Sequence, residues 1–83
     1  MKPISFSEHA TVQMESRNIS RDEATNAIRS PDYTHVQSDG RVQAMASFTI
    51  DGKPYLRIVI YEETSDQITV VTTFITSKIE KYR

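Results

Sequence analysis

The chain is 83 residues long, contains no cysteine and carries a formal net charge of −1. That length leaves no room for a second core, and the missing thiols exclude a disulfide framework and thiolate-based metal binding or attack. The near-neutral balance gives no long-range attraction toward nucleic acid.

The opening, Met1-Lys2-Pro3-Ile4-Ser5-Phe6, holds no continuous apolar stretch, so no signal peptide is expected. No later apolar run approaches the roughly 18 residues that a membrane span needs. The expectation is one domain over residues 1–83, cytoplasmic and without membrane contact. The last eight residues set Lys78, Lys81 and Arg83 against Glu80 alone. Any basic site should therefore be local and close to the C-terminus.

Helix one is predicted from Glu8 to Arg17. Ser7 is a good N-cap, Glu8 suits the positive end of the helix dipole, and Ala10, Met14 and Arg17 share a face. Asn18 tolerates the left-handed conformation of a C-cap. Helix two opens on Ser20-Arg21-Asp22-Glu23, a capping box in which Ser20 bonds forward and Glu23 reaches back. Its apolar stripe is Ala24, Ala27 and Ile28, and Ser30-Pro31 ends it.

From Tyr33 the pattern changes to period two. Tyr33 to Ser38 reads as a strand, and Asp39-Gly40 as a hairpin turn. Val42, Ala44, Ala46, Phe48 and Ile50 alternate with Gln43, Met45, Ser47 and Thr49, which predicts a strand with one buried face. Asp51-Gly52 is a second turn. Tyr55 to Tyr61 is apolar on both parities except at Arg57, and Gln67 to Ile75 is a further β-branched run. The expected fold is α+β: two N-terminal helices packed on one face of a four-stranded antiparallel meander.

Few residues carry chemistry. Arg57 interrupts an apolar strand on the same side as Tyr55, Val59 and Tyr61. An unpartnered buried guanidinium costs several kcal/mol, on the order of 3–5, so it must pair with a carboxylate, reach an open face or meet an anion. Arg suits an anion because its planar fork bonds two oxygens at once. His9 and His35 are far apart and match no zinc spacing, and His35 has no obvious partner in sequence. In the tail Thr76-Ser77-Lys78-Ile79-Glu80-Lys81-Tyr82-Arg83, Ile79 and Tyr82 are three apart. One helical turn would anchor them on the core and hold Lys78 in place. Gly40 and Gly52 both fall in turns, so no phosphate-binding glycine loop is present, and no cofactor or metal is expected.

Ser7-Glu8-His9-Ala10, then Met14, Arg17, Asn18-Ile19-Ser20, an acidic helix and Ser30-Pro31-Asp32 together resemble the opening of a small bacterial domain family of unknown function, DUF4258. Leu56-Arg57-Ile58-Val59-Ile60-Tyr61 resembles that family's arginine-bearing strand. Thr72-Thr73-Phe74-Ile75-Thr76-Ser77-Lys78, with Tyr82, resembles its closing strand and T-S-K tail. The departures are mild: Asn18 stands where Gly is usual, and Ser30 where Asn is usual.

The family is grouped with the RelE and BrnT toxin-like fold, so the resemblance implies a ribonuclease toxin of a type II toxin–antitoxin pair. Such an enzyme uses no metal: the RNA 2′-hydroxyl attacks the adjacent phosphate. On that analogy His9 would transfer the proton, with Tyr82 as its substitute, Arg57 would stabilise the transition state, Lys78 would complete the catalytic set by holding a phosphate, and Arg17, Lys81 and Tyr82 would contact RNA phosphates. The implied partners are RNA and a cognate antitoxin. Two other readings stand beside this one. The first is a non-catalytic protein-binding module, joined to a partner or a like chain through strand edges and the sheet face carrying Met45 and Arg57. The second is a small-anion or nucleotide site at Arg57, Lys78 and His9.

Overall fold

A computed structural model describes residues 2–82. The chain opens with a short strand, β1 (Ile4–Phe6), and turns at once into α1 (Glu8–Arg17). The Ser7 hydroxyl accepts the Ala10 N–H at 3.1 Å, and Asn18 ends the helix at φ 56°. The Ile19 N–H then closes on the Met14 carbonyl at 2.9 Å. The capping box of α2 (Arg21–Arg29) is complete: the Ser20 hydroxyl accepts the Glu23 N–H at 3.1 Å, and Glu23 accepts the Ser20 N–H at 3.0 Å. Both helices occupy the spans their caps predict.

Four further strands follow: β2 (Tyr33–Val36), β3 (Val42–Ile50), β4 (Lys53–Glu63) and β5 (Ile68–Thr76). The strands β2 to β5 form the expected antiparallel meander. Among the described residues the sheet has five strands in the order β1-β5-β4-β3-β2, with β1 parallel to β5. The expectation of a four-stranded, all-antiparallel sheet is thus corrected to a five-stranded mixed one. Three residues are too few to show a period. What makes Ile4–Phe6 a strand is docking on β5, where Ile4 pairs with Ile68 and Phe6 with Val70. Lys2 adds a clamp, its ammonium meeting the Glu63 carboxylate at 2.6 Å and the Thr64 carbonyl at 2.8 Å.

The two Asp-Gly turns differ. At Asp51-Gly52 both residues have positive φ, 51° and 77°, the two-residue turn that matches strand twist. At the first turn only Gly40 is positive, and the loop closes between the Gln37 N–H and the Arg41 carbonyl at 2.8 Å. The register of β4 on β5 shifts between Ile60 and Tyr61: Ile60 faces Thr72 and Tyr61 faces Val70. Beside this bulge, Gln13 of α1 accepts from the Thr72 hydroxyl and from the Thr73 N–H, tying the helix to the strand.

Each sheet face carries its own core. On one face Ala10, Met14, Ala24, Ala27 and Ile28 of the helices pack on Ala44, Val59, Tyr61, Ile68 and Val70. On the other, Met45, Leu56 and Ile58 are covered by a short third helix, α3 (Ile79–Tyr82), through Ile79 and Tyr82 with Phe74 beside them. The tail is anchored as the spacing of Ile79 and Tyr82 predicts. The pairing of Met45 with Ile58, and of Ala46 with Arg57, puts Met45 and Arg57 on opposite faces. No single face carries both residues, which corrects the expected contact surface. Among the described residues, no helix is long and apolar enough to cross a membrane.

Candidate functional site

Arg57 lies under α2. Its guanidinium donates to the Glu23 carboxylate at 2.7 Å and sits 4.2 Å from the centre of the Phe48 ring. The side chain is only 14% exposed, and among the described residues its Nε has no hydrogen-bond partner. Glu23 thus caps α2 with one oxygen and holds Arg57 with the other. The Ser20 backbone N–H holds the Glu23 carboxyl below the usual carboxylate range. The Ser20 hydroxyl and the Arg57 charge act in the same direction, against partial burial. Of the options open to Arg57 in the sequence, this geometry is the structural ion pair.

His9 is exposed in the first turn of α1, which is moored to β5 by Ser7 at Val70 and Val71. Arg57 pairs with Ile75, four residues further along β5 than Val71, which is about 13 Å at strand rise. Arg17 is exposed in the last turn of α1. Lys78, Lys81 and Tyr82 belong to the α3 segment on the opposite face of the sheet. His9, Arg57 and Lys78 are therefore not brought to one cleft.

A different set converges. Tyr33, Thr34 and His35 of β2, Gln43 and Met45 of β3, and Lys81 and Tyr82 of α3 line an open groove of about 450 Å³. The β2–β3 register creates its floor by setting Tyr33 opposite Met45 and His35 opposite Gln43. Its wall is α3: the Lys81 ammonium lies 5.8 Å from the centre of the Tyr82 ring, and that ring packs on Phe74 at 6.1 Å. Lys78 opens the same turn, its N–H bonded to the Thr76 hydroxyl at 3.0 Å and its carbonyl accepting the Lys81 N–H at 3.2 Å. The groove combines an imidazole, an ammonium, an amide and two phenolic rings. It can bind an anion, stack a flat ring and move a proton.

Lys81 and Tyr82, which the resemblance would set against RNA phosphates, line this groove. Nothing in the sequence assigns Tyr33, His35 or Gln43 to a site. The available signal was their alternation, which puts Tyr33 and His35 on one side of β2. Their meeting with Lys81 depends on which face α3 covers, and no local pattern states that. Among the described residues, no group of three or more His, Asp or Glu side chains is placed to hold a metal ion.

The family described as a domain of unknown function, DUF4258, matches residues 6–75. That span runs from the last residue of β1 to the penultimate residue of β5 and stops before α3. No curated protein and no solved structure matches the chain.

Proposed function

With the chain's membership of the DUF4258 family as the premise, we propose that it is a metal-independent endoribonuclease of the toxin type, working from the groove between β2, β3 and α3. The observation that carries this reading is the convergence of His35, Lys81, Tyr33 and Tyr82 in that one groove. The grouping of that family with the RelE and BrnT toxin-like fold, implied by the sequence resemblance, speaks for this reading, as does the local basic character of the tail.

The chemistry follows from the groups present. A bound RNA strand lays a base on a tyrosine ring and a phosphate against Lys81, with Lys78 one turn away. His35 takes the proton of the 2′-hydroxyl, whose oxygen attacks the adjacent phosphorus. Lys81 balances the charge gained by the phosphorane and gives a proton to the departing 5′-oxygen. The products are a 2′,3′-cyclic phosphate and a 5′-hydroxyl. Arg57 braces the scaffold in this reading, and the antitoxin partner is part of the same proposal.

The test is induction in bacteria beside cleavage of a single-stranded RNA in vitro. Wild type should arrest growth and cut RNA, and His35→Ala and Lys81→Ala should each lose at least a hundredfold in rate. A substrate lacking the 2′-hydroxyl at the scissile nucleotide should resist. Harmless expression with intact RNA overturns the enzyme. Binding of nucleotides without cleavage leaves an anion-binding module instead. Loss in His9→Ala with full activity in His35→Ala moves the site to the α1 face.

A further inference from the structure

The strand β3 runs five residues beyond the end of its outer neighbour. β2 pairs with Val42 to Met45, whereas β4 pairs with the whole of β3 out to Ile50. Residues 46–50 therefore have a strand on one side and an open row on the other, roughly 17 Å long at strand rise.

The direction of the backbone groups in that row follows from two bonds. The Met45 carbonyl accepts the Asp32 N–H at 2.8 Å, and the Ser47 N–H donates to the Asp32 carboxylate at 2.6 Å. Alternate residues of an antiparallel strand turn the same way, so Met45, Ser47 and Thr49 face outward. Asp32 answers the Ser47 N–H, which among the described residues leaves the Ser47 carbonyl and both backbone groups of Thr49 as the row's open positions. The other edge of this hairpin is closed to pairing at the matching place, because Pro54 stands opposite Thr49 and has no N–H to give. Native edges are commonly blunted; here Pro54 blunts one side, and on the other Asp32 closes the Ser47 N–H but not the positions beyond it.

The side chains along the row alternate. Phe48 and Ile50 project on the α1 and α2 face, with Ile50 47% exposed, and Ser47 and Thr49 project on the other. The row has an acid at each end: Asp32 beside Ser47, and Asp51 in the turn beyond Ile50. The Ser47 backbone N–H and then the Ser47 hydroxyl hold the Asp32 carboxyl below its usual range, so it stays charged over more of the acid range.

That charge pattern discriminates between occupants. A second copy pairing antiparallel along the same row would bring Asp32 of each chain toward Asp51 of the other, like charge against like. An extended segment with a basic residue at each end of a five-residue stretch, and apolar residues between, meets both acids and covers Ile50 and Phe48.

We propose that the outer edge of β3 at residues 46–50 is a strand-addition site for a basic, extended segment of a partner protein. The partner continues the sheet in line with β2, takes its backbone bonds at Ser47 and Thr49, and sets Lys or Arg against Asp32 and Asp51. This surface is separate from the α3-side groove and does not depend on RNA cleavage.

The test uses two synthetic peptides on the full chain, one of alternating Val and Thr with Lys at both ends and the other with Glu at both ends. The Lys peptide should shift the Ser47 and Thr49 amide resonances and bind at least tenfold tighter than the Glu peptide, with the difference shrinking in high salt. Thr49→Pro removes an outward N–H and no β3–β4 bond, and should abolish binding. Asp51→Asn keeps the turn and should weaken the Lys peptide several-fold, which keeps the test open if Thr49→Pro fails to fold. Equal binding of the two peptides, or shifts confined to other residues, overturns the proposal. So does a concentration-dependent dimer by light scattering that Thr49→Pro dissolves.

Discussion

The Arg57 guanidinium meets the Glu23 carboxylate at 2.7 Å, joining the middle of β4 to the first turn of α2. The same carboxylate completes the α2 capping box. One side chain therefore serves a local structure and a tertiary contact together, and it ties the first turn of α2 to β4.

Arg57→Ala should lower unfolding free energy in urea by about 1–3 kcal/mol, because it loses the ion pair and the packing of the stem on Phe48. Arg57→Met keeps much of that packing and should lose less. Well below the melting temperature, both variants should retain the RNA binding proposed for the wild type. A variant that is stable yet inactive would return Arg57 to the catalytic role implied by the family resemblance.

Acid should loosen the helix–sheet contact. The Glu23 carboxyl is held below its ordinary range in the folded state, so its contribution is full above the unfolded pKa and is lost as pH falls through the folded one. Stability measured from neutral pH downward should decline through the carboxylate range, and Glu23→Gln should flatten part of that decline. An unchanged acid limb in Glu23→Gln would contradict the assignment.

α3 is a single turn, held by Ile79 and Tyr82 over Met45, Leu56 and Ile58. Ile79→Ala removes half-buried apolar volume and should cost about 1–2 kcal/mol, below the range for fully buried aliphatics. Tyr82→Phe should keep stability, whereas Tyr82→Ala should lower the melting temperature and weaken RNA binding together. Thermal unfolding beside an RNA titration checks all three.

Gly52 has φ 77° and open space where a Cβ would stand. Gly52→Ala therefore meets no clash and should show backbone strain alone, about 1–2 kcal/mol, or roughly 4–8 °C per kcal/mol in a domain this small. Gly52→Asn should cost less, since Asn visits that conformation more readily. A larger loss in either variant, read by differential scanning calorimetry, would point to a turn other than the one described.

The sequence by itself determined the local units of this protein. Ser7, Asn18, Ser20 and Glu23 place both helices because caps act within four residues. Asp51-Gly52 sets a hairpin register because two adjacent residues supply the required positive φ. The spacing of Ile79 and Tyr82 predicts an anchored tail, since one helical turn brings them to one side. Only the tertiary structure decided the rest. Ile4–Phe6 becomes a strand because β5, more than sixty residues away, offers an edge for it. Arg57 receives Glu23 because α2 crosses β4 at that point. His35 and Lys81 share a groove because α3 closes the face opposite α1 and α2. These outcomes depend on which surfaces are left to bury once the helices and the meander have formed, and that is a property of the assembled layers rather than of any stretch of chain.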